Sequence, residues 1–206
     1  MNNTAAIDMH NECYWQIATT REKDVYPSEL FKVKMLDAFF PKTVSQLTTD
    51  LSTVTSMFYG VMLESCINLF PESEIDKVSK DFFYRLGRVK TKAILQQDNS
   101  SCEFYADARG IVMVLITAIY NASPEYIFKI TQYSAEESII NLTGKDRYYR
   151  AATTLGIAHL LVWPTLTPFF SGINDELGLD FTVSATINQL DENGACDINF
   201  RIFCEK

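Results

Sequence analysis

The stretch Phe181–Cys204 decides the fold class, and it reads FTVSATINQLDENGACDINFRIFC. Apolar and polar side chains alternate along its first part, give way to a polar run that ends in Asn193 and Gly194, and then alternate again. Alternation with a period of two is typical of a half-buried strand, and Asn-Gly is typical of a tight hairpin turn. The stretch therefore predicts two adjacent antiparallel strands, near residues 180–190 and 195–204.

A third strand is predicted upstream, because Tyr126–Tyr133 alternates in the same way. With the hairpin it would give a small antiparallel sheet that has one face on the helices and the other partly in water. The residues that follow, from about Asp146 to Phe170, predict a helical region that Pro164 and Pro168 interrupt.

The chain before the first strand is predicted to be helical. Ser28 and Glu29 open a helix that ends before Pro41. Apolar residues then recur every three or four positions over residues 42–70, and again after Pro71, which indicates two amphipathic helices. The first allows a break at Gly60, and Ser73 is predicted to cap the second. The predicted apolar face of the second helix consists of Ile75, Val78, Phe82, Leu86, Val89 and Ala93. The apolar run over residues 105–121 fits a helix or a buried strand, and its length favours the helix.

These patterns predict an α+β protein in which N-terminal helices pack on a small antiparallel sheet closed by the C-terminal hairpin. Residues 1–26 are expected to form an N-terminal arm or a short helix, and residues 27–206 a single α+β domain. The chain has 206 residues, of which 47% are hydrophobic. That is enough for a sizeable core.

Charge and cysteine content restrict the class of partner and the compartment. The formal net charge of −8 and the lack of a basic stripe argue against nucleic-acid binding. The apolar run Ile111–Tyr120 is too short to cross a bilayer, and the N-terminus lacks the pattern of a secretory signal. Five cysteines, an odd number without close CxxC spacing, favour the reducing cytoplasm. We therefore expect a cytoplasmic protein without membrane contact, with all five thiols free.

The first candidate site is the charged aromatic segment Asp146–Arg150, which reads DRYYR. One interpretation is a helix start, at which the carboxylate stabilises the helix dipole. The other is the rim of a pocket, where Arg147 or Arg150 holds a ligand carboxylate and a tyrosine covers the apolar part of the ligand.

The second candidate is His159, in the apolar segment Gly156–Trp163. His159 and Trp163 are four residues apart and would share one helix face, and Gly156 leaves space beside the ring. A functional histidine facing a cavity competes here with a core histidine that is hydrogen-bonded to a carbonyl. No zinc-type spacing, P-loop or dinucleotide motif is present in the sequence. We therefore expect neither a metal nor a cofactor.

The order of elements in the last third of the chain resembles a known family. The strand Tyr126–Tyr133, the helical stretch through Phe170 and the hairpin strand that begins at Gly194 are similar to parts of the aminothiazoline-carboxylate hydrolase-like family. They also resemble vinyl-reductase-type small-molecule-binding domains. The resemblance implies an α+β fold with a pocket between helices and sheet, and it carries over Cys196. The chain departs from the pattern after the first strand, where Gln132 and its neighbours stand in place of a cysteine.

Two functions follow as hypotheses. The first is a small-molecule enzyme or ligand-binding protein with a mainly apolar pocket, lined by Tyr148, Tyr149, His159 and Trp163. Arg150 would anchor an acidic group, and His159 would be the general base in a hydrolysis because its pKa can be tuned to near neutrality. The alternative is a non-catalytic protein-interaction domain that uses a sheet edge or an exposed aromatic patch and forms an oligomer such as a homodimer.

Overall fold

The computed structural model describes residues 23–96 and 106–204. Nearly all of the predicted N-terminal arm lies outside the described residues, and so do Cys13 and Cys102. Most of the residues between the helix predicted after Pro71 and the following apolar run also lie outside them. The chain divides into two compact units, one up to Leu51 and one from Ser52 onward. A single domain over residues 27–206 stays a prediction.

The first unit contains helix α1, Glu29–Phe39, and the beginning of helix α2, Val44–Ile67. The hydroxyl of Ser28 caps α1 by accepting from the backbone N–H of Phe31 at 3.1 Å. The predicted helix start at Ser28 is therefore confirmed.

The second unit contains the rest of α2, the remaining helices and the sheet. Its other α-helices are α3 (Glu72–Leu95), α4 (Ala108–Ala122), α5 (Arg147–Thr154) and α6 (Leu166–Glu176). A short 3-10 helix, Ala158–Leu160, lies between α5 and α6. The predicted region from Asp146 to Phe170 is thus three helical pieces, and α6 continues beyond Phe170. The helix that length favoured for the run over residues 105–121 is confirmed, and it is α4.

The sheet has four antiparallel strands among the described residues, in the order β1-β2-β4-β3. They are β1 (Tyr126–Tyr133), β2 (Glu137–Lys145), β3 (Thr182–Leu190) and β4 (Ala195–Phe203). The adjacent strands β3 and β4 confirm the predicted hairpin, and Gly194 takes the positive φ of 79° that its turn requires. With helices first and strands last, the α+β fold class is confirmed.

Strand β2 is the element that the sequence interpretation missed. It pairs with β1 on one side and with β4 on the other, so it occupies the centre of the sheet. Its buried positions are Ser138, Ile140 and Leu142, and Ile139 lies between two of them. Because Ser138 is polar but buried, and Ile139 is apolar but lies on the other side, apolar and polar residues do not alternate along this strand.

The core lies where the helices cover one face of the sheet. Ile140 pairs with Phe200, and Leu142 with Ile198, so the buried side chains of β2 and β4 adjoin one another. Phe170 of α6 contacts Phe200 with ring centroids 4.8 Å apart. The helices therefore pack on the sheet as the sequence predicted.

Two local helix predictions are corrected. Gly60 does not break α2, which runs through it without interruption. Ser73 does not cap α3, which begins at Glu72 after Pro71 without a side-chain cap. The buried face of α3 also differs from the predicted apolar one: it contains Phe83 and not Val89, which is exposed.

Among the described residues, no helix is long and apolar enough to span a membrane.

Candidate ligand-binding site

The second unit contains a cavity of about 340 Å³. Most of its wall is apolar and comes from α3, α4 and α6, with the side chains Phe83, Leu86, Leu115, Ala118, Ile119, Ala122, Leu166 and Phe169. Its polar lining residues are Thr55, Lys90, Ser123, Tyr126, Arg147 and Tyr148. An apolar cavity with a few converging polar groups is the usual form of a small-molecule site.

Helical spacing brings each group of lining residues to one side of its helix. On α3, Phe83, Leu86 and Lys90 follow one another at intervals of three and four residues, so they share one face. The face ends in a lysine, whose apolar stem continues the wall and whose ammonium group supplies a charge.

Two glycines set the distance between α3 and α6, which both contribute to the wall of the cavity. A Cβ on Gly87 of α3 would overlap the carbonyl oxygen of Phe169, and one on Gly172 of α6 would overlap that of Tyr84. Only the absence of a side chain at both positions lets the two backbones approach this closely. The close approach places Phe83 and Phe169 in the wall of the same cavity.

Arg147, the first residue of α5, is the buried cation of the cavity, with 3% of its surface exposed. Its Nη1 donates to the hydroxyl of Ser52 at 2.7 Å and to the Ser52 carbonyl at 3.3 Å, and its Nη2 donates to the hydroxyl of Tyr148 at 2.7 Å. The Ser52 hydroxyl donates in turn to Glu125 at 2.7 Å. Arg147 thus contacts a carboxylate only through an intervening hydroxyl in this hydrogen-bond network.

The Arg147 network leaves polar atoms unsatisfied. Nε of Arg147 and Oε1 of Glu125 are buried and have no hydrogen-bond partner among the described residues. A buried donor without a partner costs about 1–3 kcal/mol. The Nε–H group of Arg147 is therefore a buried donor without an acceptor among the described residues.

Tyr148 joins Arg147 to an aromatic cluster. Its ring makes edge contacts with Tyr59 and Phe83, with centroids 5.3 Å and 5.0 Å apart. Burial raises the pKa of the Tyr148 hydroxyl, and the nearby Arg147 opposes this shift. The hydroxyl is therefore held protonated, and it accepts a hydrogen bond from the guanidinium.

Asp146 is fully buried and caps α5. One of its oxygens accepts from the backbone N–H groups of Tyr148 and Tyr149, both at 3.0 Å. Its other oxygen, Oδ2, and the hydroxyl of Tyr126 are buried and have no hydrogen-bond partner within the described part of the chain. Burial raises the pKa of the Asp146 carboxyl. The pKa of the Tyr126 hydroxyl is also raised, mainly by burial and to a smaller extent by the charge of Asp146. Burial thus favours the neutral form of each group.

Cys196, which the family resemblance carried over, is a buried thiol on β4 with 5% exposure. Burial raises its pKa to about 12, and the negative charge of Asp146 adds to the shift. A thiol with so high a pKa stays protonated at neutral pH, whereas a cysteine nucleophile acts as the thiolate. The surroundings of Cys196 therefore favour an inert thiol.

The structure does not bring the predicted site residues together in one place. Tyr148 lines the cavity. Tyr149 and Trp163 instead contact each other, with ring centroids 4.8 Å apart, and the indole N–H of Trp163 donates to the carbonyl of Ala158 at 3.0 Å. Arg150 reaches the hydroxyl of Thr53 at 3.5 Å. His159 is exposed on the 3-10 helix. None of these four lines the cavity described above, and their roles stay predictions.

A signal for Arg147 was present in the sequence. Ala151 and Ala152 are small apolar residues that mark the buried side of α5, and Arg147 and Tyr148 precede them by four residues. Residues four apart share a helix face, so this spacing points Arg147 inward and leaves Arg150 on another side. No comparable signal exists for Lys90, which tertiary packing brings to the cavity.

Within residues 23–96 and 106–204, no group of histidine, cysteine and carboxylate side chains is placed to hold a metal ion. No protein-family model matches the chain, and the search of curated proteins finds no significant relative. The class that the fold defines is therefore an α+β protein with a mainly apolar cavity, and function has to be inferred from the cavity.

Proposed function

We propose that this chain is a small-molecule-binding protein whose cavity holds a mainly apolar ligand. The observation that supports the proposal is the cavity of about 340 Å³, whose walls are mainly apolar and whose polar lining residues include Arg147 and its hydrogen-bond partner Tyr148. Its volume falls at the lower end of the range for small-molecule sites, roughly 300–1,000 Å³. The ligand would be a compact molecule or a short chain.

The lining favours binding over hydrolysis. The titratable side chains among the described residues that line the cavity are Lys90, Tyr126, Arg147 and Tyr148. General acid–base catalysis at neutral pH works best with a group whose pKa lies near the operating pH. Burial raises the pKa of both tyrosines away from that range. A hydrolase-like activity with His159 as base remains a separate prediction, which needs a substrate that reaches the 3-10 helix.

Binding can be tested with the neutral apolar dye N-phenyl-1-naphthylamine, whose fluorescence rises in an apolar site. We expect saturable binding of one dye per chain. Ala118→Phe places a ring in the cavity and should weaken the binding strongly, because the ring takes up space that the dye needs. Ala93→Phe is the matched control, since Ala93 is exposed on α3. Equal binding to both variants and to the unmodified chain would argue against the cavity as the site.

A second candidate function is protein interaction, with self-association as its simplest form. Three apolar side chains of α2 are exposed at spacings of four and three residues: Val54, Phe58 and Val61. A shallow groove of about 390 Å³ lies nearby on α2 and α3 and is lined mainly by apolar side chains, including Met62 and Phe82. Exposed apolar patches often mark interaction sites.

Sedimentation equilibrium tests the homodimer. Phe58 is 73% exposed, so Phe58→Glu changes the surface and leaves the core intact. Concentration-dependent dimerisation that this variant abolishes would support the interaction function. A chain that is monomeric at every concentration would contradict it.

A further inference from the structure

The charges at the cavity point to the chemistry of the ligand. The chain as a whole carries a formal charge of −8, yet the two charged side chains among the described lining residues are cations, Lys90 and Arg147. Apolar walls of low dielectric strengthen the field of such charges and raise the local concentration of ions of the opposite sign.

The hydrogen bonds of Arg147 leave it able to bind a further acceptor. A guanidinium has five N–H donors, and the bonds described above go to a carbonyl and to two hydroxyl groups. Its Nε–H is buried without a partner, although the side chain lines the cavity. An oxyanion is the acceptor that pairs most strongly with a guanidinium.

The nearby carboxyl groups do not occupy this position. Glu125 and Asp146 do not line the cavity. Glu125 is linked to Arg147 through the hydroxyl of Ser52, and Asp146 directs one oxygen to the backbone at the start of α5. A ligand in the cavity would therefore meet the two cations at its wall and neither of these carboxylates.

We propose that the ligand is an amphipathic anion, with a carboxylate or phosphate group at Arg147, an apolar body against the wall of Phe83, Leu115 and Phe169, and Lys90 as a second cation of the same wall. This inference rests on the proposed binding function and adds the charge class of the ligand. It excludes amines that are protonated at neutral pH, because a cationic head would be repelled by both side chains.

Three probes with the same ten-carbon chain test the inference: decanoate, decyl phosphate and decanol. Their affinities for the full chain are compared by calorimetry near neutral pH, below the concentrations at which they form micelles. We expect the anions to bind about tenfold tighter than decanol or more, as one charge-assisted hydrogen bond would give. The tighter of the two anions then identifies the head group that the site prefers.

Substitutions test whether the two cations cause the preference for anionic probes. Arg147→Met should remove most of the preference for the anions and leave decanol binding. Because Arg147 is buried and its removal can impair folding, Lys90→Met provides an independent test at a half-buried position. It should weaken decanoate several-fold and leave decanol unchanged. Lys92→Met, an exposed position further along α3 that does not line the cavity, is the control and should change neither affinity.

The outcomes separate this inference from the binding function on which it rests. If decanol binds as tightly as the anions, or if Lys90→Met and Lys92→Met behave alike, the anionic ligand is wrong while the apolar cavity stands. If none of the three probes binds and the dye does not bind either, the binding function itself is wrong.

Discussion

The hydroxyl of Ser52 in α2 lies between Arg147 and Glu125, accepting from the guanidinium and donating to the carboxylate, both at 2.7 Å. Ser52 is 3% exposed, so water does not replace either bond easily. Together with the Ser52 carbonyl and the Tyr148 hydroxyl, this hydroxyl holds the buried cation that lines the cavity, and Ser52 belongs to an element distant in sequence.

Replacing Ser52 tests the importance of this link. Ser52→Ala removes the bridging hydroxyl and leaves a buried charged donor and acceptor with fewer partners, at a cost of about 1–3 kcal/mol in the free energy of unfolding. Urea denaturation measures the change. Ser65→Ala is the control, because the Ser65 hydroxyl is exposed on the same helix and bonds only to the carbonyl of Val61. Equal losses in both variants would show that the link contributes nothing.

The close crossing of α3 and α6 is tested by Gly172→Ala. The added Cβ would meet the backbone oxygen of Tyr84, which cannot move without shifting the helix. We expect a loss of roughly 2–3 kcal/mol of stability, which is typical of overpacking in a core. In Gly60→Ala the new Cβ meets the end of the flexible Leu155 side chain, so this helical position should tolerate the change. A thermal melt in which both variants match the unmodified chain would contradict the close crossing.

The buried carboxyl of Asp146 should make stability depend on pH. Its pKa in the folded chain is raised above the ordinary value of 3.8, chiefly by burial. The folded state therefore holds a proton that the unfolded state releases, and the free energy of unfolding falls as the pH rises through the folded pKa. Asp146→Asn keeps a good cap and does not titrate.

The measurement is the free energy of unfolding of both proteins in urea across a range of pH. The stability of Asp146→Asn relative to the unmodified chain should increase as the pH rises from about 4 toward neutrality. A difference that decreases with rising pH would mean that the folded protein lowers the pKa of this carboxyl.

The surroundings of Cys196 predict an unreactive thiol. Because burial raises its pKa to about 12, alkylation of the native chain near neutral pH should modify the exposed Cys204 well before Cys196. Peptide mass spectrometry after timed labelling with iodoacetamide gives both rates, and unfolding in urea should make them similar. Modification of native Cys196 as fast as Cys204 would reveal an activated cysteine.

Local patterns in the sequence predicted the strands β1, β3 and β4 because each alternates in one register and ends at a turn. They failed for β2, where Ser138 faces the core and Ile139 does not. They also failed for the buried face of α3. Of the adjacent residues Phe82 and Phe83, it is Phe83 that belongs to the buried face. The other buried positions of α3 include Ser79, Gly87 and Thr91, which a count of apolar residues does not detect.

The site was less predictable than the fold, because it depends on contacts between distant elements. The segment Asp146–Arg150 contains two of the lining residues, Arg147 and Tyr148. The choice of Arg150 as anchor followed from charge alone and took no account of which side of α5 the small residues mark. Lys90 and the glycine crossing of α3 and α6 become visible only when the helices are packed.

The binding function is tested most directly by locating N-phenyl-1-naphthylamine on the protein through nuclear Overhauser contacts to assigned methyl groups. The cavity predicts contacts from the dye to the methyls of Leu115, Ile119 and Leu166, which line it together. Contacts only to the groove methyls of Met62 and Val89, or none at saturating dye, would contradict a ligand-binding cavity in this protein.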